Sequence, residues 1–279
     1  MTIQLFLHKN ISCARLKTYN NTSMYRFVLS EERDEKMRLL IVRHADPDYE
    51  KDSLTKKGWR EAELLAERLA AHEVREFFVS PLGRAKDTAS LTLEKIGRTA
   101  VVCDWLREFP PGILRPDAEG KRIIAWDWLP QDWTAEPAYF QRESWCGTDV
   151  MREGQVGEVY RLVTDKFDKL LAQYGYVREG EYYRVEHANR DTLVFFCHFG
   201  LECVLLSRLM NVSPMILWHH CCAAPSSVTT LVTEERRQGK AVFRMSAFGD
   251  ISHLYAKGEE PAFSARFCET FDDDDERHD

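Results

Sequence analysis

From Met37 onward, short apolar runs alternate with segments of helical periodicity for more than 200 residues. That rhythm constrains the fold more than any other feature. Strands separated by helices pair in parallel, with helices on both faces of the sheet. Leu39–Val42 is the first run, continuous rather than alternating, as for a strand buried on both faces. Thr55 can cap the segment TKKGWREAELLAERLAAH, where Trp59, Ala62, Leu65, Ala66 and Leu69 recur at helical spacing. Glu76–Val79 reads as a second strand, stopped by Ser80-Pro81; a helix follows over about 82–94, and Thr99–Cys103 reads as a third strand. A helix over about 154–174, the β-prone run DTLVFFC (191–197), a helix at LECVLLSRLM and strands at 227–232 and 241–248 complete the pattern. The expected class is α/β, a three-layer αβα sandwich around a mostly parallel sheet.

Residues 105–150 break this rhythm. They hold five of the seven tryptophans (Trp105, Trp126, Trp128, Trp133 and Trp145), and prolines 110, 111, 116, 130 and 137 forbid a long helix. A long irregular insertion in a compact domain is often functional, so a Trp-rich lid over a site is expected here. The expected organisation is an N-terminal extension at 1–36, a core domain at 37–258 and an acidic tail at 259–279 ending in FDDDDERHD.

In parallel sheets, ligands bind beyond the carboxyl ends of the strands. Arg43 and His44 end the first strand, the Ser80–Arg84 turn ends the second, Glu108 lies just past the third, and His198 follows DTLVFFC. Two arginines, two histidines and a glutamate therefore gather on one edge. This set suits phosphoryl chemistry. Guanidinium forks bind the equatorial oxygens, a neutral imidazole attacks phosphorus, and a carboxyl group protonates the leaving alkoxide. Neither a metal nor a cofactor is called for.

Taken in order, VRHA (42–45), SPLGRAKDTA (80–89), LREF (106–109) and CHFG (197–200) resemble the histidine phosphatase superfamily, the phosphoglycerate-mutase-like group. DSLTKKGWREAELLAERL resembles that family's first helix, with its Leu-Thr start and a glycine three residues after the threonine. The likeness spans about 37–255, with Ala45 where the family has glycine. It implies that His44 is the phosphorylated nucleophile, that Arg43, Arg84 and His198 hold the phosphate, and that Glu108 is the general acid and base. The methyl of Ala45 is expected near the phosphate, without harm to the chemistry.

The implied activity is metal-independent hydrolysis of a small-molecule phosphomonoester. Mutases of the family carry a Ser-x-Trp-Asn tract after the first motif. DPDYEKDSLTKKG lacks it, which favours hydrolysis over mutase-type transfer. A rival reading takes Asp46-Pro47-Asp48 as the Asp-x-Asp of Mg²⁺-dependent haloacid-dehalogenase-type phosphatases; another takes the chain as an idle phospho-ligand binder. Asp46 and Asp48 near the entrance disfavour highly anionic substrates unless Arg107, Arg115, Lys121 or Arg122 offset them. His253 is a weaker candidate for site contact, and His219-His220-Cys221-Cys222 is a poor metal tract, because adjacent ligands rarely close a tetrahedral site.

A formal net charge of −7 argues against general nucleic-acid binding, and no apolar run is long enough to span a bilayer. Eight scattered cysteines with no CxxC spacing suggest reduced thiols in a cytoplasmic protein.

Overall fold

The computed structural model describes residues 36–115, 117–118, 120–262, 270 and 272. All but Lys36 of the extension assigned to residues 1–36, and most of the acidic tail, therefore lie outside the described residues.

Strand β1 (Arg38–Arg43) enters first, followed by a small hairpin of β2 (Pro47–Asp48) and β3 (Ser53–Leu54) and then helix α1 (Lys56–Leu69). Strand β4 (Glu76–Val79), helix α2 (Gly83–Ile96) and the edge strand β5 (Val101–Val102) come next. The irregular insertion holds a second hairpin, β6 (Gly112–Leu114) and β7 (Arg122–Ile124), and short helices α3 (Pro130–Thr134) and α4 (Asp149–Glu153). Helix α5 (Val156–Gln173) leads to the hairpin β8 (Tyr176–Glu179) and β9 (Tyr182–Val185), then to β10 (Thr192–Cys197), α6 (Phe199–Met210) and α7 (Pro214–His220). The long strands β11 (Val228–Arg237) and β12 (Lys240–Asp250) and the short α8 (Ser252–Tyr255) finish the described fold.

The main sheet has eight strands in the order β5-β4-β10-β1-β11-β12-β9-β8. From β5 to β1 every pairing is parallel; from β1 to β8 every pairing is antiparallel. The sandwich is thus mixed, with its parallel half where helices connect the strands and its antiparallel half where hairpins do. The hairpin β8–β9 was not legible as strand, because TyrVal-rich residues on one side of Gly180 follow a helix without a clear period.

Successive residues of the central strands serve opposite layers. Leu39, Ile41, Leu193 and Phe195 join the cluster beneath α5 and α6, whereas Leu40, Val42, Val194 and Phe196 join the one beneath α1 and α2. Burial on both faces explains why LLIV and LVFF read as unbroken apolar runs. Thr55 caps α1 through its hydroxyl, which accepts from Gly58 N at 3.0 Å. Ala62, Leu65 and Leu69 face inward as expected, but Trp59 does not: it is 36% exposed, one position off the buried stripe.

The insertion is different from a free cover. Trp126, Trp128, Trp133 and Trp145 are all buried, in the same cluster as α5, α6 and α7. Trp145 stands edge-on to Trp218, and Trp128 edge-on to Tyr139. Rings of this size gain more from burial than from hovering over a cavity. Residues 259–262, the start of the segment assigned to the acidic tail, pack on α1: Ala262 is buried, its N–H donates to Glu61 Oε1 at 2.9 Å, and Glu259 pairs with Lys57 at 3.1 Å. Among the described residues, no helix is long and apolar enough to cross a membrane.

Candidate active site

Register places the site. Arg43 pairs with Cys197 across β1 and β10, and Val79 pairs with Phe196 across β4 and β10. The next residues along, His44, His198 and Ser80, therefore end side by side. The backbone completes this: His44 N–H donates to Cys197 O at 2.9 Å, and Ser80 N–H donates to Phe196 O at 2.9 Å.

A cavity of about 250 Å³ opens at this edge, walled by Arg43, His44, Tyr49, Arg84, Glu108, Ile124 and Trp126. Four of the five site residues expected from sequence line it. The fifth, His198, is fully buried behind the wall, its ring 5.1 Å from that of His44.

His44 is held for a single role. Its Nδ1 sits 2.8 Å from Ala45 O, a contact only an N–H can make favourably, so the proton resides on Nδ1 and Nε2 keeps its lone pair. Burial and then the charges of Arg43 and Arg84 hold its pKa well below the usual histidine range, so the ring is neutral. His198 is likewise held well below that range by burial, then by His44, Arg84 and Arg43. Its Nε2 lies 2.7 Å from Ser80 Oγ, which itself accepts from Leu82 N.

Arg43 is 2% exposed and donates to Ala223 O, with its guanidinium 5.6 Å from the centre of the Phe199 ring. Arg84 rises from the first turn of α2 and donates to Asp52 Oδ1 at 2.7 Å. The other oxygen of Asp52 accepts from Gly83 N at 2.6 Å. This close approach needs Gly83, because a Cβ there would lie 1.9 Å from Asp52 O. The same reasoning explains the glycine three residues after Thr55: a Cβ on Gly58 would sit 2.2 Å from Asp46 O.

Glu108 meets the start of α6. Its Oε1 accepts from Phe109 N at 2.7 Å and Leu201 N at 3.0 Å, while among the described residues Oε2 accepts only from Gly200 N at 3.3 Å. Burial raises its pKa above the ordinary glutamate value, against the lowering effect of those N–H groups and of Arg43. Oε2 is the less engaged oxygen and the one fitted to exchange a proton.

Several sequence-based expectations change here. The methyl of Ala45 is fully buried with Leu54 and Ala62 and lines no part of the cavity. Asp46 is buried rather than at the entrance: it accepts from Thr55 Oγ1 at 2.6 Å, and its N–H donates to Glu61. It is off the cavity wall, which removes the nucleophile of the haloacid-dehalogenase-type reading. Arg115 is engaged by Asp117 at 2.6 Å and Arg122 by Glu153, and neither they nor Arg107 nor Lys121 line the cavity. His253 reaches only the second layer: it contacts Ser226 Oγ at 3.2 Å, and Ser226 N–H donates to His44 O. His219 stacks on Trp133 and contacts Met215 O at 2.7 Å, a packing role for the His-His-Cys-Cys tract. Tyr49 and Ile124 were missed, since no local pattern marks a wall residue; of the tryptophans expected over the site, Trp126 alone lines the cavity among the described residues. Asp52 was missed too, although its φ of +49° marks a special turn.

The fold is an α/β protein with helices on both faces of a central sheet, and at one sheet edge a pocket gathers His44, two arginines and a buried carboxyl group, with His198 behind it. The sequence profile of the Histidine phosphatase superfamily (branch 1) matches residues 39–244, and the chain belongs to that superfamily. Phosphoserine phosphatase from Entamoeba histolytica, as a histidine-to-alanine variant with phosphoserine, is similar in fold, with a TM-score of 0.51 at 16% identity over 78% of this chain and 99% of that one. A mycobacterial hydrolase gives 0.51 at 20% identity, covering 77% and 91%. A mycobacterial glucosyl-3-phosphoglycerate phosphatase with inorganic phosphate gives 0.50 at 19%, covering 78% and 99%. At such identities the likeness concerns the fold alone. No functionally curated sequence matches the chain significantly.

Proposed function

We propose that this chain hydrolyses phosphomonoesters through a phosphohistidine on His44, without a metal. One observation carries the reading: the Nδ1 contact with Ala45 O leaves a neutral imidazole with its Nε2 lone pair on a wall shared with Arg43, Arg84 and Glu108. In the first step that lone pair attacks phosphorus and the P–O ester bond breaks. Arg43 and Arg84 neutralise the equatorial oxygens, work otherwise done by a divalent cation. Glu108 gives its Oε2 proton to the departing alkoxide. In the second step Glu108, now a carboxylate, takes a proton from water as the water oxygen attacks phosphorus. The P–N bond breaks, releasing inorganic phosphate and neutral His44. Nδ1 of His198 is buried with no hydrogen-bond partner among the described residues, which supports a place for it on a phosphoryl oxygen beside His44. Membership of the histidine phosphatase superfamily supports catalysis over binding alone.

The test combines an aryl phosphate assay in excess chelator with alkaline quenching, followed by acid treatment of the trapped protein. Wild type should turn over and yield an acid-labile, base-stable phosphoenzyme. His44→Ala should lose both the adduct and about 10⁴-fold or more in rate. An undiminished rate in His44→Ala, or full loss of wild-type activity in chelator, defeats the proposal.

A further inference from the structure

The walls that remain after the phosphoryl groups are assigned say what the ester's other half is made of. Arg43, His44, Arg84 and Glu108 handle phosphorus and its oxygens. That leaves Tyr49, Ile124 and Trp126 around the alcohol portion. The indole N–H of Trp126 donates to Phe109 O at 3.0 Å, so what the side chain offers the cavity is carbon surface. Gly200 permits this wall: a Cβ there would lie 2.7 Å from Trp126 Nε1 and 2.8 Å from Glu108 Oε1. Ile124, the last residue of β7, is apolar. Tyr49 stands at the mouth on the tip of the β2–β3 hairpin, with its ring 5.4 Å from the Arg84 guanidinium.

Two cations of the insertion are engaged elsewhere, Arg115 by Asp117 and Arg122 by Glu153. Among the described residues, no cation beyond Arg43 and Arg84 lines the cavity. A carboxylate on the substrate would thus meet no third cation on these walls, and a run of sugar hydroxyls would find the Tyr49 hydroxyl and little else. Both arrangements are costly. The volume, about 250 Å³, falls at the small end for ligand sites and suits a single ring or short branched chain.

We propose that Trp126 and Ile124, with Tyr49 at the mouth, select small aromatic or aliphatic phosphomonoesters and reject carboxylate-bearing ones such as phosphoserine. This rests on the hydrolytic reading above. The experiment compares kcat/KM of the full chain for benzyl phosphate, phosphoserine and glycerol phosphate. All three release alkoxides, so the comparison reads the pocket rather than the leaving group. Benzyl phosphate should be preferred by about 100-fold, within the range that pocket contacts can supply. Ile124→Arg places a cation on the bare wall and should shift the phosphoserine-to-benzyl ratio about tenfold toward phosphoserine. Trp126→Leu should shrink the benzyl preference, with thermal melts checking that it folds. Phosphoserine used as well as benzyl phosphate by wild type overturns the selectivity while leaving hydrolysis intact. Ratios unmoved by Ile124→Arg also overturn it. Failure to cleave any ester, aryl phosphates included, instead removes the hydrolytic reading itself.

Discussion

The two halves of the main sheet divide the labour. The parallel half, β5-β4-β10-β1, delivers all five groups assigned to phosphoryl chemistry, on the segments that leave its strands. The antiparallel half, β11-β12-β9-β8, delivers none of them. Its entry loop supplies backbone props instead: Ala223 O accepts from Arg43, and Ser227 O accepts from Arg43 N at 3.1 Å. Parallel strands all end at one edge, so residues far apart in sequence converge there. Hairpin-linked strands alternate direction, and their ends are scattered between both edges.

Substitutions in the two halves should therefore fail in different ways. The largest effect is expected in the parallel half. Glu108→Gln should slow alkyl phosphates by about 10³-fold and aryl phosphates far less, since an aryl oxide departs without a proton. Equal losses on both would take the acid role from Glu108. In the antiparallel half, Phe243 is buried against Tyr176 and Tyr183, with ring centres 5.6 and 5.1 Å away. Phe243→Ala should cost about 3–4 kcal/mol of stability in urea titration while kcat of the folded enzyme is retained. A collapse of kcat with unchanged stability would erase the distinction between the halves.

A third change sharpens the comparison through pH. Glu202 on α6 is buried, and burial raises its pKa to about 7. The folded state then binds a proton more tightly than the unfolded chain. Stability from this group is full below about 4.5 and is lost as pH rises through 7. Glu202→Gln should remove about 2–3 kcal/mol of that loss between pH 5 and pH 8, read from denaturant midpoints. The depressed His44 and His198 act in the other sense, losing stability as pH falls below 6.5. Stability should thus peak between these limbs, and a wild-type profile still rising at pH 9 would contradict the burial argument. The smallest effect belongs to the exposed pair Arg244–Glu234 on the antiparallel strands, 2.8 Å apart. Arg244→Ala should change stability by less than about 1 kcal/mol and turnover not at all.

Much of this was legible in the chain because buried parallel strands write continuous apolar runs, and the residues that end them are chemically conspicuous. Arg43-His44 after LLIV and His198 after LVFFC are such endings. Thr55 and Gly58 were readable as a helix start, though why glycine is needed became clear only from the approach of Asp46 O. The Trp-rich insertion was the hardest segment. Its composition suggested a cover, yet nothing local says whether an indole faces the core or a cavity.

The sequence by itself determined the core strand–helix order and the edge at which Arg43, His44, Arg84, Glu108 and His198 gather, since periodicity and residue chemistry are local properties. Only the tertiary structure decided that His198 stands behind His44, that Ala45 points away from the cavity, and that Trp126 and Ile124 wall the space beside Glu108. Those facts depend on register between distant strands and on which neighbour fills a volume first, and neither is encoded in any short stretch of residues.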